Sequence, residues 1–148
     1  RLKQVSKETG ATVVDPSVIY DIDMDIYAPC ALGATVNDQT IDRLKCQVIA
    51  GAANNQLQDE EKHGKILLEK GITYAPDFLI NAGGLINVYA EFVGGYNRDL
   101  TYKHAEKIYD ICTSILDKSE KENIPSQQAA TEMAWNRIEA IGKVKLPY

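Results

Sequence analysis

The stretch QVIAGAANNQLQDEEKHGKILLEKGITYAPDFLINA, Gln47 to Ala82, decides the fold. It opens on an apolar run, Gln47 to Ala53, that stops at Asn54-Asn55. DEEKHGKILLEKG follows with acids in its first turn, Lys70 in its last and Gly71 as a stop, the signature of a helix. A second apolar run, Ile72 to Ala82, carries the chain to Asn81 and a pair of glycines, Gly83-Gly84, after which helical spacing resumes at Leu85. Short apolar runs on either side of a helix predict parallel strands buried on both faces.

The same alternation extends toward the N-terminus. Ala11 to Val14 and Met24 to Leu32 are two further runs, so about four strands are expected in one parallel sheet. Between them, Ser17 to Asp23 reads as a helical turn or two. NDQTIDRLK (residues 37–45) reads as a helix capped by Asn37 or Asp38, with Ile41 and Leu44 inward. Residues 1–9 look like part of a helix ending at Gly10, without an initial Met or an N-cap, so the first residue given is expected not to be the protein's natural first residue. Beyond Gly94-Gly95 the style changes. Ala105, Ile108, Tyr109, Cys112, Ile115 and Leu116 share one helical face, and Ala130, Met133, Ala134, Ile138 and Ile141 share another on a helix starting near Ser126. The fold class is therefore α/β, a parallel sheet followed by C-terminal amphipathic helices.

Composition narrows the function. The 148 residues are 45% hydrophobic, enough for one core, and carry a net charge of −5, which argues against a nucleic-acid partner. No apolar stretch reaches the ~20 residues that span a bilayer, and no basic-then-apolar leader marks export. Cys30, Cys46 and Cys112 are widely spaced and read as reduced thiols of a cytoplasmic protein. His63 and His104 lack ligand-spaced companions, so no metal site is expected, and both read as surface residues.

In open parallel sheets, ligands lie beyond the carboxyl ends of the strands. The unusual residues gather there: Asp15, APCALGA (28–34), GAANNQ (51–56) and NAGG (81–84). Asn81 at a strand end can donate and accept at once, which suits a ligand carboxamide, and the glycines would let a flat ring approach the backbone. Asn54-Asn55 offers either an amide for the crevice or an Asx turn into the next helix. Cys30 has no His or acid nearby in sequence to activate it and reads as a buried structural thiol. Asp15 is open between a ribose-binding acid and a cap on the turn at Pro16-Ser17. The glycine-rich GxGxxG fingerprint does not occur in these 148 residues.

Taken in order and spacing, APCALGA, VIAGAANNQL, HGKILLEKGITYAPDFLINAGGLINV and GGYNRD resemble the cofactor domain of the Glu/Leu/Phe/Val amino-acid dehydrogenases, most closely the leucine-specific branch. The resemblance is strong from Asp25 to Asp99 and looser at both ends. It implies a partial Rossmann-type sheet, with residues 1–96 as the C-terminal portion of an NAD-binding domain. Residues 97–148 become helices that pack across that domain and toward a substrate domain. It makes Ala11 to Val14 the third strand of the complete sheet and takes the ribose role from Asp15.

The resemblance further implies that Cys30, Ala31 and Leu32 line the cofactor crevice. Asn55, with Asn54 as its rival, stands near the nicotinamide and the substrate, and Asn81 holds the nicotinamide or its ribose. Leu85 and Val88 form a wall around the substrate side chain, and where this chain has Leu85 the family usually has Val. The implied reaction is NAD-dependent oxidative deamination of L-leucine or a related branched-chain amino acid, with phenylalanine or valine dehydrogenase as an alternative within the family. A non-catalytic domain sensing a nucleotide or amino acid is the alternative outside it. The lysine and aspartate that carry the family's proton transfers have no counterpart here. These residues alone are thus expected to be an inactive fragment of a homo-oligomeric enzyme.

Overall fold

The computed structural model describes residues 1–143. The last five residues of the expected C-terminal helical segment, 144–148, lie outside the described residues. Three two-residue strands, β1 (Ile26–Tyr27), β2 (Val48–Ile49) and β3 (Thr73–Tyr74), form a parallel sheet in the order β1-β2-β3. The register aligns Ile26, Val48 and Thr73 in one row and Tyr27, Ile49 and Tyr74 in the next. Hydrogen bonds from the Ala50 N–H to the Tyr27 carbonyl and from the Ala75 N–H to the Ile49 carbonyl prolong the ladder at its carboxyl end. Pro29 and Pro76 then stop the outer strands, since proline has no N–H to give the ladder.

The expected fourth strand is not formed. Ala11 to Val14 has no ladder among the described residues, and Val13 is 53% exposed. A β-branched run becomes a strand only where a partner backbone meets it. Nor are the strands buried on both faces. Tyr27, Ile49 and Tyr74 are in the core, whereas Ile26 in the adjacent row is 58% exposed. The expected helix over residues 37–45 is instead a series of turns. The Asn37 Oδ1 accepts the Gln39 N–H, and the Thr40 hydroxyl donates to the Thr35 carbonyl, so local side-chain bonds divert the backbone from helical pairing. Ile41 and Leu44 are nevertheless buried.

Helices follow where the stop and start residues are unambiguous. Helix α1 (Leu2–Thr9) ends at Gly10, whose φ of 74° is left-handed. A single 3-10 turn spans Ile19–Asp21. Helix α2 (Glu60–Glu69) is capped by the Asp59 carboxylate, which accepts the Lys62 N–H, and is terminated before Gly71 at φ 67°. Short helix α3 (Asp77–Ile80) and α4 (Gly83–Phe92) meet at an elbow formed by Asn81 and Ala82. Helix α5 (Arg98–Glu122) ends at Asn123, itself left-handed at φ 51°, and α6 (Ser126–Gly142) returns along it.

Two apolar clusters hold the described residues together. One joins Tyr27, Val36, Ile41, Leu44, Ile49, Leu57, Leu67 and Tyr74 beneath the sheet. The other joins Ile115 to Ala129 and Ala130, with Leu79 and Met133 against it. Gly64 of α2 packs on Pro125 and the Ser126 hydroxyl donates to the Tyr74 carbonyl, so α6 starts locked to both α2 and β3. The expected apolar stripes of α5 and α6 bury only in part. Tyr109 is 77% exposed, and Ala134, Ile138 and Ile141 face outward.

Candidate functional site

Two glycines bind the loops that leave β1 and β2 into one platform. A Cβ on Gly51 would lie 2.1 Å from the Pro29 carbonyl oxygen, and one on Gly33 would lie 2.6 Å from that of Asn54. Neither contact is possible for a larger residue, because backbone rather than a movable side chain fills the space. The Ala34 N–H donates to the Asn55 carbonyl, and Asn55 takes a left-handed backbone at φ 52°. This brings the loop carrying Cys30, Ala31 and Leu32 beside the loop carrying Asn54.

Across from the platform stands the α3–α4 elbow. Asn81 does not end a strand: only Thr73–Tyr74 pairs in the sheet, Pro76 ends the ladder, and Asn81 caps the C-terminus of α3. From there its Nδ2 donates to the Asn54 Oδ1, linking elbow to platform. This pair leaves the Asn81 Oδ1, one Asn81 N–H and the Asn54 Nδ2 without a partner among the described side-chain bonds. Beside it, Ala52, Asn54, Phe78, Asn81, Ala82 and Leu85 line an open cleft of about 460 Å³ at the carboxyl edge of the sheet. None of these side chains titrates. A Cβ on Gly83 or Gly84 would meet no atom within 4 Å, so the protein leaves the space over the elbow open, in contrast to the filled space at Gly33 and Gly51.

Of the other sequence candidates only Leu85 lines this cleft; Cys30, Ala31, Leu32, Asn55, Val88 and Asp15 are not among its lining residues. Leu85 and Val88, one helical turn apart on α4, are 73% and 58% exposed. Ala31 and Leu32 are exposed on the β1 loop. Cys30 is exposed rather than buried, because the platform turns its loop outward; its Sγ accepts the Ala52 N–H at 3.5 Å. Asn55 is exposed but does not border the cleft, which takes Asn54 instead. Asp15 accepts from the backbone and the hydroxyl of Ser17, bonds that hold its carboxyl below the ordinary range. A larger groove of about 540 Å³ flanks β3 between α2 and the α5–α6 turn, but none of the candidate residues borders it.

His63 is not on the surface: it is 1% exposed. Its Nδ1 accepts the Asp59 N–H at 3.0 Å, and its Nε2 faces the Asp38 carboxylate at 2.9 Å. With Lys62 Nζ 2.7 Å from the same carboxylate, these bonds hold Asp38 below its ordinary value, the lysine contributing most. Two polar residues to which the sequence reading gave no role are buried and bonded to each other, near cleft residues in the chain. Gln56 is fully buried and Asp77 is 6% exposed. Their visible signals were the acid within the apolar run YAPDFLI and the glutamine that closes GAANNQ.

A parallel α/β domain with an amide pair and an open apolar helix face at the carboxyl edge of its sheet is the class this fold and site define. A family model described as Glutamate/Leucine/Phenylalanine/Valine dehydrogenase matches residues 1–145. The chain belongs to that family. It is 55% identical over 139 residues to leucine dehydrogenase of Thermoactinomyces intermedius, covering 94% of this chain and 37% of that protein. It is 48% identical over 147 residues to leucine dehydrogenase of Bacillus cereus, covering 99% of this chain and 40% of that protein. The crystal structure of L-tryptophan dehydrogenase from Nostoc punctiforme superposes with a TM-score of 0.89 at 46% identity, covering 93% of this chain and 42% of that one. The chain thus spans about two-fifths of the length of these relatives.

Proposed function

We propose that this chain forms the cofactor-holding part of an NAD-dependent dehydrogenase that converts L-leucine or a related branched-chain amino acid, with water, to the 2-oxo acid and ammonia. The carrying observation is the Asn54–Asn81 pair beside the open face of Leu85 and Val88. The identities of 48–55% to leucine dehydrogenases support the same reading.

The residues present fit a nicotinamide. A carboxamide both donates and accepts, and the amide pair, which lines the cleft, keeps both capacities beyond its own mutual bond. The open space above Gly83-Gly84 admits a flat ring. When bound, NAD supplies the acceptor for the hydride leaving the substrate α-carbon. The chain's own part is positional: Asn81 and Asn54 orient the ring, Cys30, Ala31 and Leu32 border its approach, and Leu85 with Val88 contacts the substrate side chain and excludes water. The proton transfers are not assigned to any residue of this chain. The complete protein is proposed to work as a cytoplasmic homo-oligomer.

Substrate selection tests the reading. A glutamate side chain against the cleft lining would lose its hydration without gaining a partner, whereas an aliphatic chain gains ~0.8 kcal/mol per buried CH₂. In the full-length enzyme, kcat/KM with NAD should favour leucine over glutamate by at least ~1000-fold, about 4 kcal/mol of discrimination. Leu85→Ala should lower the value for leucine and raise those for phenylalanine and tryptophan relative to it. The 46% identity to an L-tryptophan dehydrogenase favours an aromatic substrate as the second reading, which a wild type preferring tryptophan or phenylalanine would establish. Preference for glutamate, or a ranking unmoved by Leu85→Ala, would sink the pocket assignment.

A further inference from the structure

Joined through the chain to the Asn54–Asn81 pair is a buried polar brace, Gln56 with Asp77, that no residue lining the cleft supplies. Gln56 sends its Nε2 to the Gly51 carbonyl at 2.6 Å and to the Ala53 carbonyl at 2.9 Å, closing the Gly51–Gln56 turn on itself. Its backbone N–H donates to the Asp77 Oδ2 at 2.8 Å. Asp77 is the first residue of α3, and its own N–H reaches the Tyr74 hydroxyl at 3.3 Å. Four residues later the same helix delivers Asn81, whose N–H bonds the Asp77 carbonyl. One residue before Asn55, the closed turn delivers Asn54. The two amides that meet across the cleft are therefore each one short, hydrogen-bonded segment away from the Gln56–Asp77 bond.

We propose that Gln56 and Asp77 are positioning residues that set the distance and orientation between Asn54 and Asn81, and through them the seat of the cofactor's carboxamide. The inference rests on the proposed function for its kinetic consequence, but its structural content does not. Burial gives the brace its leverage. Water cannot replace bonds made at sites this closed, so removing a partner leaves a carbonyl or an N–H unsatisfied and lets the turn and the helix separate. Tyr74, whose hydroxyl is raised in pKa by burial first and the Asp77 charge second, stays a neutral partner of Asp77 at all working pH values. It adds no competing charge to the brace.

The test uses the full-length enzyme with Gln56→Met, which keeps volume but removes both side-chain donors, and Asp77→Ala and Asp77→Asn. Hydrogen exchange read by mass spectrometry should rise in peptides covering both 51–56 and 77–85 in Gln56→Met and Asp77→Ala, and return toward wild type in Asp77→Asn, which retains an acceptor for the Gln56 N–H. In the same variants KM for NAD should rise about fivefold while KM for leucine stays within about twofold, the expected scale for one misaligned hydrogen bond. Combining Gln56→Met with Asn54→Ala should add little to either single change. Faster exchange confined to one of the two segments, or an unchanged KM for NAD in a variant that loses only thermal stability, overturns the proposal. A wild type without NAD-dependent turnover of any amino acid overturns the proposed function instead, and the exchange data then still decide whether the brace couples the two segments.

Discussion

At the scale of single residues, Asn81 concentrates the chemistry. Its position at the end of α3, with Ala82 and Gly83 following, points the amide across the cleft rather than along a strand. Removing it in the full-length enzyme should affect the cofactor before the amino acid. Asn81→Ala is expected to raise KM for NAD about fivefold, from the loss of roughly 1 kcal/mol of hydrogen bonding, with KM for leucine little changed. Steady-state kinetics with each substrate varied in turn check this. A tenfold rise confined to leucine would place Asn81 at the substrate instead. Gly51 illustrates a different kind of residue: it matters because the Pro29 backbone occupies the place of any side chain, and only the folded platform reveals that.

At the scale of elements, the N-terminus of α2 is held to the turn at Asp38 by a small charged cluster. Asp59 caps the helix, His63 reaches back from its first turn to the Asp59 N–H, and Asp38 receives both His63 and Lys62. Folding lowers the Asp38 carboxyl below its ordinary 3.8. A depressed carboxyl contributes stability that is present above its unfolded value and is lost as pH falls through the folded one. Thermal unfolding followed between about pH 5 and about pH 2.5 should therefore fall more steeply in the wild type than in Asp38→Asn. The difference should shrink in high salt, because Asp38 is exposed and its ion pair with Lys62 is screened. Parallel curves for the two proteins would mean the cluster does not couple to folding.

At the scale of the whole molecule, the side chains that line the cleft at the sheet's carboxyl edge are orienting groups without an acid or base, while Asp77 is buried and bonded to the Gln56 N–H. Ala52, Asn54, Phe78, Asn81, Ala82 and Leu85 can position a ring and an aliphatic chain but cannot move a proton. The 148-residue chain purified by itself is accordingly expected to form no NADH from leucine and NAD at any pH, as judged by absorbance. Turnover by this chain would mean that a proton-transfer group lies within it and that the division of labour proposed above is wrong. The large exposed side chains on α4 to α6, among them Phe92 at 87% and Tyr109 at 77%, belong to the same scale. On α5 and α6 such a face is held by the opposite side of the helix, where Ile115, Ala129 and Ala130 are buried, whereas α4 has no buried residue.

The sequence by itself determined what depends on neighbours along the chain. Asp59 with two following glutamates starts α2, left-handed Gly10 and Gly71 mark the stops, and Asn123-Ile124-Pro125 separates α5 from α6, because capping and chain reversal are settled within a few residues. The order of four motifs was also sufficient to point to the family. Tertiary structure alone decided what depends on distant backbone. Ala11 to Val14 has strand composition but no ladder, residues 37–45 have helical spacing but form turns, and the run through Asn81 bends into helix after Pro76. His63 sits buried because Asp38, distant in sequence, comes to meet it, and Cys30 is exposed because Gly51 and Pro29 turn its loop outward. The choice of Asn54 over Asn55 has the same origin. Adjacent amides are equivalent in sequence, and only the left-handed turn at Asn55, closed over Gln56 and tied to Asp77, directs one of them into the cleft.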